Sequence, residues 1–324
     1  MLSNEQIQSA IDNCLSNTDF LKFAGRRKGK VRDIFDLGDK LLLITTDRLS
    51  AFDRILATIP YKGQVLNQVS AFWFNETKDI VPNHVINIPD PNITLAKKCR
   101  LLPIEFVVRG YLTGSTETSA WTLYSRGERS ICGNPLPDGM VKNQRFEQPI
   151  LTPTTKSDIH DESISVDEIS ARGIIKQPML DEVCRIALDL FKRGQEIAKK
   201  NGLILVDTKY EFGLDDNGTV TLIDEIHTPD SSRYWIADSY EERFAQGREP
   251  KNIDKEFLRL WFRENSDPYT DETLPPAPEE LVIELSRRYI QLFEMITGQK
   301  FTIEETDSIE KRIVMNLEKE GRNG

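Results

Sequence analysis

Histidine and cysteine are scarce in this 324-residue chain, long apolar runs are missing, and positive charge is in deficit. Each shortage removes a class of function. His84, His160 and His227 are dispersed and form no H-E-x-x-H pattern, which removes the common zinc hydrolases. Cys14, Cys99, Cys132 and Cys184 include no C-x-x-C pair, so neither a zinc knuckle nor a dithiol redox motif is on offer, and buried inert thiols are the better reading. No G-x-G-x-x-G, G-x-S-x-G or G-x-x-x-x-G-K-[ST] occurs, so Rossmann, α/β-hydrolase and P-loop readings lack their main support. The best apolar run, Leu41-Leu42-Leu43-Ile44, is strand-sized and far short of the roughly 18 residues that span a bilayer. The opening Met1-Leu2-Ser3-Asn4-Glu5 has neither a basic n-region nor an apolar h-region, so a cytoplasmic location is expected. With 42 Lys+Arg against 52 Asp+Glu the formal charge is −10. Such a field repels phosphate polymers and anionic lipid and argues against nucleic-acid and membrane partners.

What is present looks globular: 39% hydrophobic and 29% charged residues, in a length that suits two or three domains. A short polar helix is expected over 5–15. The alternation over 30–36, then Leu37-Gly38-Asp39-Lys40 and the apolar 41–46, predicts a β-hairpin. Residues 85–88 and 106–108 are further strand candidates, the second preceded by a chain-breaking Pro103, with a hinge near Leu102. Residues 127–155 are rich in Gly, Pro and Asn and read as a long loop or irregular insertion. In 178–200, Leu180, Val183, Cys184, Ala187, Leu190 and Phe191 recur at helical spacing, and Asn201-Gly202 supplies a stop. That stripe should pack on the strand Leu203-Ile204-Leu205-Val206. Helices are also expected over 254–264, 278–297 and 308–318.

The most informative stretch is Leu205-Val206-Asp207-Thr208-Lys209-Tyr210-Glu211-Phe212-Gly213, followed by Asp215-Asp216-Asn217-Gly218 and Thr219-Val220-Thr221-Leu222-Ile223-Asp224. In a strand, Asp207, Lys209 and Glu211 share one face. If Asn217-Gly218 makes a two-residue turn, opposed residues sum to 435 and Glu211 faces Asp224. Two carboxylates so close repel unless something positive lies between them, and Mg²⁺ or Mn²⁺ shared with phosphates is the natural occupant. Lys209 could then hold a phosphate and Asp207 orient a neighbour or substrate. The alternative is a solvated face on which Lys209 screens the acids. A bulge would shift the register and substitute Glu225 for Asp224.

These residues resemble the SAICAR synthetase (phosphoribosylaminoimidazole-succinocarboxamide synthase) family. One signature is matched by Leu101-Leu102-Pro103-Ile104-Glu105-Phe106-Val107-Val108-Arg109-Gly110-Tyr111-Leu112-Thr113-Gly114-Ser115, the other by the run from Leu205 to Gly213. Further likeness lies in Gly29-Lys30-Val31-Arg32-Asp33, Asp47-Arg48-Leu49-Ser50-Ala51-Phe52-Asp53 and Thr228-Pro229-Asp230-Ser231-Ser232-Arg233. It covers roughly residues 20–300, and the 127–155 insertion is similar to the longer, yeast-like form.

The resemblance implies an ATP- and Mg²⁺-dependent ligase. It joins the carboxylate of carboxyaminoimidazole ribonucleotide (CAIR) to the amino group of L-aspartate through an acyl phosphate, releasing ADP and phosphate. It implies an α+β fold: a small antiparallel domain like a kinase N-lobe over 1–102, a larger ATP-grasp-like domain over 103–324, and ATP in the cleft between them. By the same resemblance Lys30 and Arg32, expected on one strand face, cover the ATP phosphates, and backbone near Leu102 receives adenine. Glu211 and Asp224 bind metal, with Glu225 an alternative to Asp224. Arg109, Ser115 and Arg233 hold the ribonucleotide phosphate, while Lys156, Ser157 and Asp158 lie near the aspartate site. Asp207 and Lys209 contact substrate and phosphate. For Arg109 the bland alternative is a salt bridge to Glu105. Rival readings are a small-molecule kinase like the inositol polyphosphate kinases, in which a D-x-K motif also occurs, and a non-catalytic nucleotide-binding protein. The expected partners are small molecules alone, acting on a monomer or small homo-oligomer.

Overall fold

A computed structural model describes residues 2–52, 54–156, 162–253, 255–304 and 308–323. The chain begins with α1 (Asn4–Gln8), β1 (Arg26–Lys28), β2 (Arg32–Asp36), β3 (Lys40–Thr45), β4 (Arg48–Ala51), β5 (Arg54–Thr58), α2 (Lys62–Glu76), β6 (Val85–Asp90) and β7 (Ile93–Lys97). It continues through β8 (Arg100–Leu112), α3 (Ala120–Ser125), β9 (Ser130–Ile131), β10 (Asn134–Pro135), β11 (Gln144–Leu151) and β12 (Thr154–Thr155). Then come α4 (Val166–Ala171), α5 (Gln177–Lys200), β13 (Leu203–Leu214), β14 (Val220–Ile223), β15 (Ser232–Ile236) and α6 (Tyr240–Ala245), and finally α7 (Glu256–Asn265), α8 (Glu279–Thr297) and α9 (Ile309–Asn323). The fold is mixed α/β with antiparallel sheets. Among the described residues no helix is long and apolar enough to cross a membrane.

The chain divides into two units. The first comprises Met1–Phe72, His84–Lys98 and Ile253–Gly324, the second Trp73–Asn83 and Cys99–Asn252. The C-terminal helices therefore return to the first unit. That unit holds a five-stranded sheet of order β1-β2-β3-β7-β6. The expected hairpin is β2–β3, with Asp36 opposite Leu41 and a turn in which Gly38 takes φ 98. Phe35, Leu42, Ile44 and Ile93 pack with Leu15 and with Ile313 of α9. The helix expected over 5–15 stops at Gln8 and gives way to a 3-10 turn at Ile11–Asn13. There the Ser9 hydroxyl donates to the Gln6 carbonyl and competes with the helix ladder.

Lys30 does not share a strand face with Arg32, because it stands in the β1–β2 turn. The turn is drawn in by the buried Arg48 guanidinium, which donates to the carbonyls of Lys30 (3.1 Å) and Gly29 (2.9 Å) and to Asp33 (2.6 Å). Glycine is required at 29, since a Cβ would lie 2.6 Å from the Arg32 carbonyl.

The second unit is built on a six-stranded sheet with β8 and β13 at its centre, β11 and β12 beyond β8, and β14 and β15 beyond β13. Helix α5 begins with Pro178 in its first turn and ends at Asn201, with Gly202 at φ 73. Its buried Leu180, Val183, Ala187, Leu190 and Phe191 form the expected stripe, which packs on β13. Behind it lie Phe106, Val108, Tyr210 and Phe212, all fully buried. Pro103 does not break the chain: β8 runs through it, because the β8–β13 register shifts between Glu211 and Gly213 and the missing N–H falls in that irregularity. The stretch 127–155 is not a long loop. β11 pairs with β8, and Ile131, Leu136, Met140 and Phe146 close a core with Tyr124 and Leu112.

Among the described residues none of the four half-buried cysteines forms a disulfide. Burial pushes the thiols of Cys14, Cys132 and Cys184 up, the last to about 11, in line with inert groups.

Candidate active site

β13 alternates, and its register with β8 sets what stands beside each polar residue: Asp207 opposite Arg109, Lys209 opposite Val107, Glu211 opposite Glu105. β15 adds Arg233 opposite Asp207. Arg109 and Arg233 thus converge on one carboxylate, with Nη1 atoms 3.4 and 3.6 Å from Asp207 Oδ2. Arg109 Nε donates to Thr152 Oγ1 (2.8 Å). Burial holds Arg109 below the usual guanidinium range; Asp207 opposes this and Arg233 adds to it. Two guanidiniums against one carboxylate leave a net positive end. Gly114 takes φ 112, and a Cβ there would sit 3.5 Å from Arg233 Nη1, so the loop bearing the exposed Ser115 passes that guanidinium.

Four residues along β13, about 13 Å at strand rise, the charge reverses. Glu105 and Glu211 stand directly opposite each other, an arrangement that needs a cation. Lys209 Nζ lies 2.8 Å from Glu105 Oε1 and 3.2 Å from Glu211 Oε1, and Lys156 pairs with Glu211 Oε2. Glu105, the bland alternative as partner of Arg109, is therefore the partner of Lys209.

The β13–β14 hairpin departs from the expected register. Gly218 N donates to the Asp215 carbonyl (2.9 Å) and Asp215 N to the Thr219 carbonyl (3.1 Å), with Gly218 at φ 79. The loop is the three-residue Asp216-Asn217-Gly218, a turn followed by a left-handed glycine. The Asp215 carboxylate accepts from Asn217 N and Thr219 N and fixes this form. Opposed residues consequently sum to 434, and Glu211 faces Ile223. Asp224 should then point to the other side of the sheet. Instead β14 ends at Ile223 and Asp224 takes φ 65, and its charge acts on both Glu211 and Lys209. Glu225 has its Oε2 engaged by the Thr228 hydroxyl (2.6 Å).

Burial and then Asp224 push the Glu211 carboxyl up, against Lys209 and Lys156. Burial disfavours the Lys209 charge, yet Glu211, Asp224 and Glu105 outweigh it and hold the ammonium well above the usual lysine range. Three carboxylates against two ammoniums leave one net negative charge. Among the described residues no group of three or more His, Cys, Asp or Glu side chains is placed to hold a metal alone. Glu211 and Asp224 nevertheless fit Mg²⁺, which takes one or two carboxylates and fills its sphere with water and phosphate oxygens.

The second unit thus gathers Arg109, Lys156, Asp207, Lys209, Glu211, Asp224 and Arg233. Lys30 and Arg32 belong to the first unit, Leu102 is buried on β8, and Ser157 and Asp158 fall outside the described residues. Glu105 and Thr152 were overlooked as site residues. Alternation puts Glu105 on the face of Arg109, a signal available in the motif itself, whereas Thr152 lies far away in sequence and only pairing brings it close.

The class the fold and site define is a mixed α/β protein that carries a guanidinium pair and a carboxylate–ammonium cluster on one sheet face. The sequence profile of SAICAR synthetase matches residues 26–276. The chain is 58% identical over 307 residues to a phosphoribosylaminoimidazole-succinocarboxamide synthase of Legionella pneumophila (strain Paris), covering 94% of this chain and 98% of that one. It is 60% identical over 315 residues to the chloroplastic enzyme of that name from Arabidopsis thaliana, covering 96% and 77%. The structure is similar to SAICAR synthase from Saccharomyces cerevisiae complexed with SAICAR: TM-score 0.78, 32% identity, 89% of this chain and 100% of that one. It is also similar to a SAICAR synthetase in complex with ADP: TM-score 0.65, 26% identity, 86% and 100%. The chain belongs to the SAICAR synthetase family. That family is ATP-dependent, and its ligases condense CAIR with aspartate in purine biosynthesis, which favours the ligase over the small-molecule kinase.

Proposed function

We propose that the two charged ends of the β8–β13 face divide the work of the ligase reaction. Arg109, Arg233 and Ser115 hold the phosphate of CAIR, with Asp207 fixing both guanidiniums and contacting substrate. Arginine suits the task through its bidentate, always-charged fork. Glu211 and Asp224 hold Mg²⁺, which when bound would neutralise phosphoryl oxygens of ATP. Lys209 donates to the transferring phosphoryl group, and Lys156 with Asp158 receives aspartate. The observation that carries the reading is the unbalanced charge at each end: one positive beside Asp207, one negative beside Glu211.

A carboxylate is a poor electrophile, and phosphorylating it gives an acyl phosphate that the free amine of aspartate attacks. Donors pre-aimed at the phosphoryl charge and exclusion of water are what such a site must supply. The first unit, with its five-stranded antiparallel sheet, would be the kinase-N-lobe-like part. There Lys30 and Arg32 cover ATP, and Leu102 marks the hinge between an N-terminal 1–102 region and an ATP-grasp-like remainder. We place the activity in the cytoplasm; the Arabidopsis relative carries the chloroplast in its name, so location varies among relatives.

The test is ADP release by purified protein with ATP, Mg²⁺ and CAIR, with and without L-aspartate. Turnover that needs aspartate is expected; equal full turnover without it would sink the assignment.

A further inference from the structure

The segment that carries Asp224 is bent at both ends, for Asp224 (φ 65) and His227 (φ 50) both stand in the left-handed region that side-chain-bearing residues disfavour. What holds that course lies behind the sheet. Tyr210 sits on β13 between Lys209 and Glu211 and points to the opposite face. There its hydroxyl shares a 2.5 Å hydrogen bond with His227 Nε2. Tyr234, from β15, donates to the His227 carbonyl at 2.8 Å. The Trp73 ring meets the imidazole edge-on at 4.6 Å and 84°. Glycine at 194 makes room for the ring: a Cβ there would stand 2.5 Å from His227 Cε1.

The cluster is fully buried and takes no part in the chemistry proposed above. Burial alone pushes His227 down to about 3, while burial and then Tyr234 push Tyr210 up, so both stay neutral near physiological pH. His227 Nδ1 finds no hydrogen-bond partner among the described residues, which leaves the Tyr210 bond as the polar anchor of the ring. Removing it would strand a second buried ring nitrogen.

We propose that the Tyr210–His227 hydrogen bond is a positioning device. It clamps residues 224–228 in their doubly left-handed course and so holds the Asp224 carboxylate beside Glu211. This rests on the assignment of Asp224 to the metal. Arg233 has a hold of its own in the β13–β15 ladder, through Asp207 opposite Arg233 and Thr208 opposite Ser232, although its neighbours Ser232 and Tyr234 also donate to the carbonyls of Thr228 and His227. The clamp therefore serves the metal acid more than the phosphate pair.

Tyr210→Phe removes only the hydroxyl. It should fold, raise amide hydrogen exchange across 224–228, and raise the half-saturating Mg²⁺ for ADP release about tenfold, as loss of a group orienting a metal ligand typically does. The KM for CAIR should hold, and excess Mg²⁺ should restore kcat. His227→Gln, whose amide nitrogen can reach the same hydroxyl, should stay close to the parent in both exchange and Mg²⁺ requirement. Unchanged exchange at 224–228 in Tyr210→Phe overturns the proposal. So does faster exchange with an unchanged Mg²⁺ requirement, provided Asp224→Asn raises that requirement. If Asp224→Asn leaves it unchanged, the metal assignment itself fails, and exchange alone then decides whether the clamp exists.

Discussion

Arg109 shows how one residue's surroundings decide between a structural and a substrate-binding role. Its ion pair with Asp207 is long at 3.4 Å, the same oxygen serves Arg233, and burial already taxes its charge. A buried guanidinium that shares half a carboxylate has donor capacity left for an anion. Arg109→Met should raise the KM for the ribonucleotide about tenfold to a hundredfold, the loss of one charge-assisted hydrogen bond, with a smaller change in kcat. Steady-state kinetics with varied CAIR checks this. An unchanged KM would return Arg109 to an ion pair that merely holds β8 to β13.

At the scale of elements, the site depends on how closely α5 lies on the back of the β8–β13 pair. The polar face can be kept open only if the opposite face is sealed, and Phe191, fully buried, lies within about 3.3 Å of where a Cβ on Gly110 would stand. Phe191→Ala should destabilise the protein by about 3–5 kcal/mol, since cavity and transfer costs add. Urea unfolding followed by far-UV circular dichroism would measure it. Substrate affinities of the fraction still folded should change little, because the strands that set the register with Arg109 and Glu105 remain paired. α2 illustrates the opposite legibility. Its buried residues include Gln64, Asn67 and Ser70 as well as Val65, Val69 and Trp73, so it lacks the one-sided stripe by which α5 announces itself.

For the whole molecule, a net charge of −10 says little about how stability follows pH; individual buried groups decide it. His227 has its pKa lowered from 6.5 to about 3 by burial. Between those values the unfolded chain binds a proton that the folded chain refuses, so stability is present above pH 6.5 and is lost as the pH falls. At pH 5 this costs about 2 kcal/mol. Asp47 works the other way: burial raises its carboxyl from 3.8 to about 6, so its contribution falls as the pH rises through that range. The two effects separate in a variant. Acidification from pH 7 to pH 5 should cost the parent about 2 kcal/mol more than His227→Gln, by denaturant unfolding at each pH. Equal losses would mean that His227 protonates in the folded state.

Periodicity and two long motifs, local in the chain, determined much of this protein: the α5 stripe, the β2–β3 hairpin, the shared face of Asp207, Lys209 and Glu211, and the family those motifs resemble. Spacing alone paired Glu211 with Asp224 through a two-residue turn. The Asp215 carboxylate selected a three-residue loop, and a left-handed backbone at Asp224 then carried its charge back toward Glu211. Pairing partners distant in sequence decided the rest: Lys209 with Glu105, Arg109 with Thr152, Tyr210 with His227. A strand's own alternation assigns side chains to faces. Which charge stands beside which is a property of register, and register is settled only when turns, bulges and the packed opposite face are all in place.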